Sequence, residues 1–352
     1  LKILITADTH LTSAAQERVL TFERLLKSML QHNLNRLIIA GDCFDAHQSG
    51  TGVLDRICGK SEYSHLQIFL LPGNHDARIR QAHFSSRNIR VFSEPELMQP
   101  DLMSLPILLL PYQAGKTMGD FLAEWNDRLK PGAWILIGHG DWSDGLRSVN
   151  PSEPGVYMPL TRSDIESYQP SRVILGHIHK PTDLDPVHYP GSPCPLDINE
   201  TGKRRCLMLD TETGSVEALP VESERIYFSE TFVVIPGGNE WERAEREIRG
   251  RIAAWQMTEQ EKGKVRLRIR FKGFTTDKAK LAEIARNCFQ EFSLYDDELF
   301  MEEVAVAEAD ERIEIMTLVE KEVSKLDITR NEYDPPELEI RLAALKTIYG
   351  VD

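Results

Sequence analysis

Cysteine is scarce and shows no pairing pattern. There are five (Cys43, Cys58, Cys194, Cys206 and Cys288), an odd count with no Cys-x-x-Cys spacing. This argues against a disulfide framework and thiolate metal ligation. A reducing cytoplasm is the expected compartment, with the five thiols as small apolar fillers. No apolar run approaches the roughly 20 residues that span a bilayer. Internal repeats and low-complexity tracts are also missing. Because a strand begins at residue 1, no secretory n-region and h-region are expected ahead of the fold.

A chain of 352 residues predicts two domains, or one domain with an appendage. The net charge of −14 argues at first against a nucleic-acid partner, but it is unevenly placed. Residues 297–352 hold 16 acidic and 6 basic side chains, a net of −10, which leaves residues 1–296 at −4. Local basic surfaces can dominate the field around so mild a charge.

From residue 1 to about 220, short buried strands alternate with helices or loops. A helix over about 16–32 places Leu20, Phe22, Leu25, Leu26, Met29 and Leu30 mostly along one face. A second helix is expected at 116–129. Strands near 89–111 and 186–221 follow one another without helices, and Thr213-Gly214 reads as a hairpin turn. The predicted class is therefore α/β, a two-sheet β-sandwich flanked by helices rather than a doubly wound Rossmann sheet. Beyond a boundary near 222–230 the pattern becomes strand (TFVVIP), helix (239–256), strand (KVRLRIRF), helix (277–291) and strand (300–307), a small α+β unit. Residues 310–352 read as two acidic helices broken at Asp334-Pro335-Pro336. The expected domains are 1–225, 226–309 and 310–352.

Four apolar runs, LKILIT, NRLIIA, QIFLLP and SRVILG, end in Asp8-Thr-His10, Gly41-Asp42-Cys-Phe-Asp45, Gly73-Asn74-His75-Asp76 and Gly176-His177-Ile-His179. A fifth, WILIG, ends in His139. Side chains placed where strands leave a sheet converge on one rim. Two cations about 3.5–4 Å apart need a bridging carboxylate and further O or N donors on each side. Asp8, His10, Asp42, Asn74, His139, His177 and His179 supply that inventory, with Asp42 as the bridge. A set rich in carboxylate, amide and imidazole and free of sulfur favours two Mn(II), with Mg, Fe or Zn as other occupants. A lone His-x-His, or Gly-Asn-His-Asp by itself, reads as ordinary structure; five such segments in this order do not. His32, His47, His65, His83 and His188 are left as structural.

DxH, GDxxD, GNHD, a following His and GHxH, in that order, resemble the calcineurin-like metallophosphoesterase superfamily. Within it, DTHL, GDCFD, GHIHKP and YPGSPCPLD resemble the bacterial SbcD nucleases of double-strand-break repair, over roughly residues 1–230. The resemblance implies Asp8, His10, Asp42 and His179 on one metal, and Asp42, Asn74, His139 and His177 on the other. His75 is then the catalytic imidazole, oriented by Asp45. A metal-bridged hydroxide attacks phosphorus while His75 assists the leaving group. Protein phosphatases of the superfamily carry an Arg soon after the second Asp of GDxxD. Here Ala46-His47 follow, which counts against a phosphoprotein substrate.

Substrate choice rests on less. Lys264, Arg266, Arg268, Arg270 and Lys272 alternate with four apolar residues, so all five cations share one face of a strand. One reading is a ridge that tracks DNA phosphates. The other is a sheet edge or open face blunted by charge, with the acidic helices as ion-pair partners. Arg78 and Arg80 follow GNHD and can reach a substrate phosphate or lie solvated in a loop. Arg87, Arg90 and the group Lys203-Arg204-Arg205 also lie near the metal motifs in sequence. The last helices offer Ile313, Ile315, Met316, Leu318, Val319 and Val323, then Leu338, Ile340, Leu342, Leu345 and Ile348, either to the α+β unit or to a partner. By resemblance that partner is an SbcC-type coiled-coil ATPase subunit, and the chain is a homodimer. The leading expectation is a DNA exonuclease and endonuclease of repair. A small-substrate phosphodiesterase, for example on cyclic nucleotides, and a non-catalytic DNA-end tether are the alternatives.

Overall fold

The computed structural model describes residues 1–45, 50–143, 155–307, 311–323, 325 and 337–350. His47, the Asp334-Pro335-Pro336 break and the side chains of Ile313 and Leu338 lie outside the described residues. The chain divides into two compact units, residues 1–196 with 203–225, and residues 197–202 with 226–352.

The first unit runs β1 (Lys2–Thr6), α1 (Gln16–Gln31), β2 (Arg36–Ala40), α2 (Thr51–Cys58), β3 (Gln67–Leu71), β4 (Ile89–Val91), β5 (Glu96–Met98), β6 (Ile107–Leu110), α3 (Met118–Trp125), β7 (Ile135–His139), α4 (Arg162–Tyr168), β8 (Arg172–Gly176), β9 (Thr182–Leu184), β10 (Val187–Tyr189), β11 (Arg205–Asp210) and β12 (Val216–Pro220). Its strands form two sheets, in the orders β12-β11-β1-β2-β3-β4 and β5-β6-β7-β8-β10-β9. The two sheets are mixed. β1 to β4 run parallel, as do β6, β7, β8 and β10, and antiparallel strands complete the edges.

Alternation explains why the strands are apolar throughout. Ile3, Ile5, Ile38, Leu71, Ile107, Leu109, Ile135, Ile137 and Ile174 meet between the sheets. Leu4, Leu37, Ile39, Ile68 and Leu70 point the other way, onto Phe22, Leu26 and Met29 of α1 and Leu54 and Ile57 of α2. Leu108, Leu110, Leu136, Val173 and Leu175 likewise pack on Met118, Phe121 and Leu122 of α3. A sheet covered on both faces loses the polar positions that mark a half-exposed one. Truncating a fully covered residue such as Phe22 costs about 3–5 kcal/mol.

Helix faces and ends needed tertiary contacts to settle. Leu20 is 38% exposed, and Val19 occupies the buried face in its place. α3 begins at Thr117, whose side chain and that of Asp120 cap each other's backbone N–H groups. Its helical course ends at Trp125 and continues as a single 3-10 turn over Asn126–Arg128. The Thr213-Gly214 turn joins antiparallel β11 and β12. All five cysteines are buried and free, and burial pushes the thiols of Cys58 and Cys206 up to about 12. No helix among the described residues is long and apolar enough to cross a membrane.

The second unit runs β13 (Ile226–Val234), α5 (Glu240–Ala254), α6 (Glu259–Lys262), β14 (Val265–Thr275), α7 (Lys278–Cys288), β15 (Ser293–Leu294), β16 (Val304–Val306), α8 (Glu311–Val323) and α9 (Glu337–Tyr349). β14 lies inside the sheet, paired in parallel with β13 on one side and with β15 and β16 on the other. Val265, Leu267, Ile269 and Phe271 are buried with Ile248 of α5 and Leu281 and Ala285 of α7. Met316 of α8 and Leu345 of α9 cluster with Val233, Ile235, Phe274 and Ala307.

Candidate metal centre

The metal-type residues stand where β1, β2, β3, β7 and β8 end. Strand periodicity stops there because the backbone turns into the left-handed region at Asp8 (φ 52°), His10 (φ 44°), Asp42 (φ 47°) and His177 (φ 98°). Such conformations cost about 1–3 kcal/mol each for residues with a Cβ, and they persist only where the surroundings enforce them. Here the Asp8 N–H donates to the Gly41 carbonyl and the His10 N–H to the Asp42 carbonyl, both at 3.1 Å. The motif glycines are steric necessities. A Cβ on Gly41 or Gly176 would run into the His139 ring, and one on Gly73 into the Asp42 carboxylate.

Two groups of donors result. Asp8, His10 and His179 bring one ligand atom each to within 4.8 Å of one another, as do Asp42, His139 and His177. Asn74 joins the second group, its Oδ1 2.8 Å from His139 Nε2, which also lies 3.2 Å from Asp42 Oδ2. His139 Nδ1 stands 2.9 Å from the Ala40 carbonyl, an outer contact that fixes the ring so that Nε2 faces the carboxylate. His10 Nε2 is buried with no hydrogen-bond partner, while His10 Nδ1 is 3.1 Å from Asp45 Oδ1. An orphaned imidazole nitrogen beside buried carboxylates is what a divalent cation would satisfy, so the residues present fit such an ion.

The electrostatics agree. Burial raises the Asp8 pKa, against the pull of His179 and His139. Burial opposes the charged forms of Asp42 and His139, but their mutual attraction and hydrogen bond outweigh it. Asp42 is held well below the carboxylate range and His139 up at about 10. Buried carboxylates here recruit positive charge from a neighbouring ring, a demand that a metal ion meets without a proton.

The Asp45 carboxylate makes its hydrogen bonds away from His75. That carboxylate meets His10 Nδ1 at 3.1 Å and Arg18 Nη1 at 2.7 Å, and the Asp45 backbone carbonyl lies 3.2 Å from His75 Nδ1. His75 stands edge-on to His10 with ring centroids 5.0 Å apart, and its N–H donates to Asp42 Oδ1 at 2.9 Å. Arg78 and Arg80 are exposed, and Arg80 donates to the carbonyls of Ala77 and Ile79. Arg87, two residues before β4, and Arg90, in the middle of that strand, lie away from this rim. Arg204 is a buried anchor that donates to Ser192 and to the His179 carbonyl, and Arg205 pairs with Asp183 at 2.6 Å. His188 also meets Asp183, at 2.8 Å. On β14 the cations lie on an inner strand, not an edge. Arg268 pairs with Asp296 at 3.1 Å and Lys272 with Glu303 at 2.8 Å.

Sequence reasoning assigned no role to three residues around this site: Asp76, Asp141 and Arg18. Asp76 is buried and accepts from Gly73 N at 2.7 Å and Phe44 N at 3.2 Å, tying the two ligand loops together. Burial and the Asp42 charge push its pKa up to about 7. Asp141 accepts from Tyr157 N at 2.7 Å and has an oxygen 3.6 Å from His177 Nε2. Asp76 could have been suspected from its place inside Gly73-Asn74-His75-Asp76; the others carry no local signal.

The model of the calcineurin-like phosphoesterase family matches residues 1–181. The DNA double-strand break repair protein Mre11 of Methanopyrus kandleri is 27% identical over 289 residues, 71% of this chain and 62% of that protein. The chain thus spans less than two thirds of that relative's length. Two solved structures are also similar. One is described as a novel archaeal phosphodiesterase, with TM-score 0.36 and 16% identity over 63% of this chain and 100% of that one. The other is GAP50, the anchor in the inner membrane complex of Plasmodium, with TM-score 0.39 and 10% identity over 63% and 89%. With a two-sheet sandwich, two converging donor groups and a family match over more than half its length, the chain belongs to the calcineurin-like phosphoesterases.

Proposed function

We propose that this chain is a two-metal DNA phosphodiesterase of the SbcD type, an exonuclease and endonuclease acting in the cytoplasm in break repair. The observation that carries the reading is the convergence of two donor groups, buried except for a half-buried His179, beside His75. Asp8, His10 and His179 would hold one ion and Asn74, His139 and His177 the other, with Asp42 shared between them. Mn(II) suits this oxygen and imidazole set, and Mg, Fe or Zn are alternative occupants. Such ions, when bound, lower the pKa of water and neutralise charge on phosphoryl oxygens.

The chain's own residues do the rest. His10 and His139 are held by Asp45 and the Ala40 carbonyl, so their Nε2 atoms are aimed before any ion arrives. A carbonyl beside His75 Nδ1 keeps a proton on that nitrogen, so exchange with the leaving oxygen falls to Nε2. The cationic face of β14, with Arg78 and Arg80, would contact the DNA backbone. Exposed Ile315 and Leu318 on α8 (49% and 64%) offer apolar surface to a coiled-coil ATPase of the SbcC type, and two copies of the chain would form the dimer. Break repair as the setting is supported by the name of the Methanopyrus relative.

The test compares labelled single- and double-stranded DNA with cyclic nucleotides and a p-nitrophenyl diester, each with Mn or Mg. DNA cleavage is expected, and cleavage confined to the small diesters would leave a phosphodiesterase that is not a nuclease.

A further inference from the structure

The first unit carries a polar hollow at the opposite ends of the strands from the metal centre. Its volume is about 380 Å³, and its walls include Arg36, Arg87, Arg90, Gln67, Phe69 and Gln99. Arg36 and Gln67 are the first residues of β2 and β3 and pair in register. The ligand loops leave the other ends of those strands. At about 3.3 Å per residue, some 13 Å of strand plus a loop separates Arg36 from Asp42. Neither the metal centre nor the proposed nuclease activity uses this place.

The charge balance there is unusual for an acidic chain. Three guanidinium groups face one hollow, and among the described residues a single carboxylate, Glu96, answers them by accepting from Arg90 at 2.6 and 2.9 Å. Two of the arginines are already positioned. Arg90 also lies over the Phe92 ring at 4.4 Å. Arg36 donates from Nε to Gln67 at 2.8 Å and from Nη1 to the Pro100 carbonyl at 3.2 Å, which leaves other N–H groups of that guanidinium uncommitted. Arg87 is exposed and makes no hydrogen bond or ion pair among the described residues. The wall between them is fixed, because Asn88 donates to the carbonyls of Cys58 and Tyr63 at 3.1 and 3.0 Å.

We propose that this hollow is an anion site for a small phosphate monoester, of mononucleotide size at most. Planar forks of N–H donors match phosphate oxygens, and preset arginines lose little freedom on binding. The volume falls in the range of small-molecule sites, and Phe69 and Met98 give the ligand an apolar contact. The site takes a phosphate carried by a nucleoside or by a simpler alcohol, or the free ion, since the chemistry that recognises it is shared.

Calorimetric titration of the full chain with AMP, glycerol phosphate, inorganic phosphate and adenosine tests this. The proteins are wild type, Asp42→Asn and Arg87→Ala, with hydrogen exchange over residues 87–91 and 98–100 as the local readout. The three phosphates are expected to bind, with protection of those segments, in wild type and Asp42→Asn alike; the best of them identifies the source. Arg87→Ala should lower affinity about tenfold or more, with an unchanged melting curve because its side chain makes no hydrogen bond or ion pair among the described residues. Binding that vanishes in Asp42→Asn, that survives Arg87→Ala undiminished, or that adenosine matches would overturn the proposal. So would a titration in which a glutamate-rich peptide binds and no phosphate does.

Discussion

Asp45 Oδ1 lies 3.1 Å from His10 Nδ1, and that contact decides which nitrogen of His10 faces the metal centre. A carboxylate beside Nδ1 keeps the proton there and leaves Nε2, buried and unpartnered, with its lone pair. Arg18 holds the same carboxylate from the far side at 2.7 Å. Burial alone would raise the Asp45 pKa, but hydrogen bonding to His10 and the Arg18 charge hold it below the usual range. Asp45→Ala should therefore weaken metal binding by roughly 10–100-fold, as loss of an outer-shell carboxylate does. Metal titration of the purified variant reads this directly. Full metal affinity with reduced turnover would return Asp45 to the role of orienting His75.

His75 gives the opposite pattern. Its ring is not among the two donor groups, and its backbone N–H supports Asp42 whatever the side chain. His75→Ala is expected to keep both ions and to lose roughly 10²–10⁴-fold in kcat, the usual worth of a general acid. Metal content by elemental analysis, measured beside turnover, separates the two residues. Loss of metal from His75→Ala would place that ring among the ligands.

These two residues show where sequence was enough and where it was not. Apolar strands followed within a few residues by Asp, Asn and His were legible because a strand fixes where the chain leaves the sheet. His75 and Asp45 follow Asn74 and Asp42 by one and three residues, where loop backbone decides direction. The left-handed turns at Asp8, His10, Asp42 and His177 have no signature in residue type. Arg18 in α1 and Arg204 before β11 reach the site only through tertiary packing. Leu20 and Val19 were indistinguishable as helix positions until the sheet beneath α1 was placed. The basic strand was read correctly as alternating, yet its neighbours, which make it an inner strand, are set by parallel pairing with distant segments.

Asp55 predicts an acid-sensitive contribution to stability. It clamps the segment entering β4, accepting from Ser85 N at 3.1 Å, Ser86 N at 2.8 Å and the Ser85 hydroxyl. Burial is the largest single influence and raises its pKa, but the hydrogen bonds from Ser85 and Ser86 together outweigh it, so the folded value lies below the ordinary one. A depressed carboxylate stabilises the fold above its unfolded pKa of about 3.9, and the benefit fades as pH falls through the folded value. Thermal melts should show Asp55→Ala less stable than wild type at pH 7, with the gap closing toward pH 3. A gap constant across that window would mean that the ionised form has no special part.

The cationic face of β14 makes its own prediction, because two of its charges are already answered. Arg268 pairs with Asp296 and lies 4.8 Å over the Tyr295 ring, and Lys272 pairs with Glu303. Partly exposed ion pairs are worth little, typically about 0–1 kcal/mol, so phosphates can displace the acids at small cost. If the face tracks a DNA backbone, Asp296→Asn with Glu303→Gln should tighten binding at low salt. Neutralising Arg266, Arg268 and Arg270 should flatten the plot of log affinity against log salt by about 0.9 for each duplex phosphate that the protein no longer neutralises. Both effects are read from one fluorescence-anisotropy series across salt concentrations. A slope unmoved by either set of variants would make the alternation a way of keeping one sheet face soluble, with DNA held elsewhere.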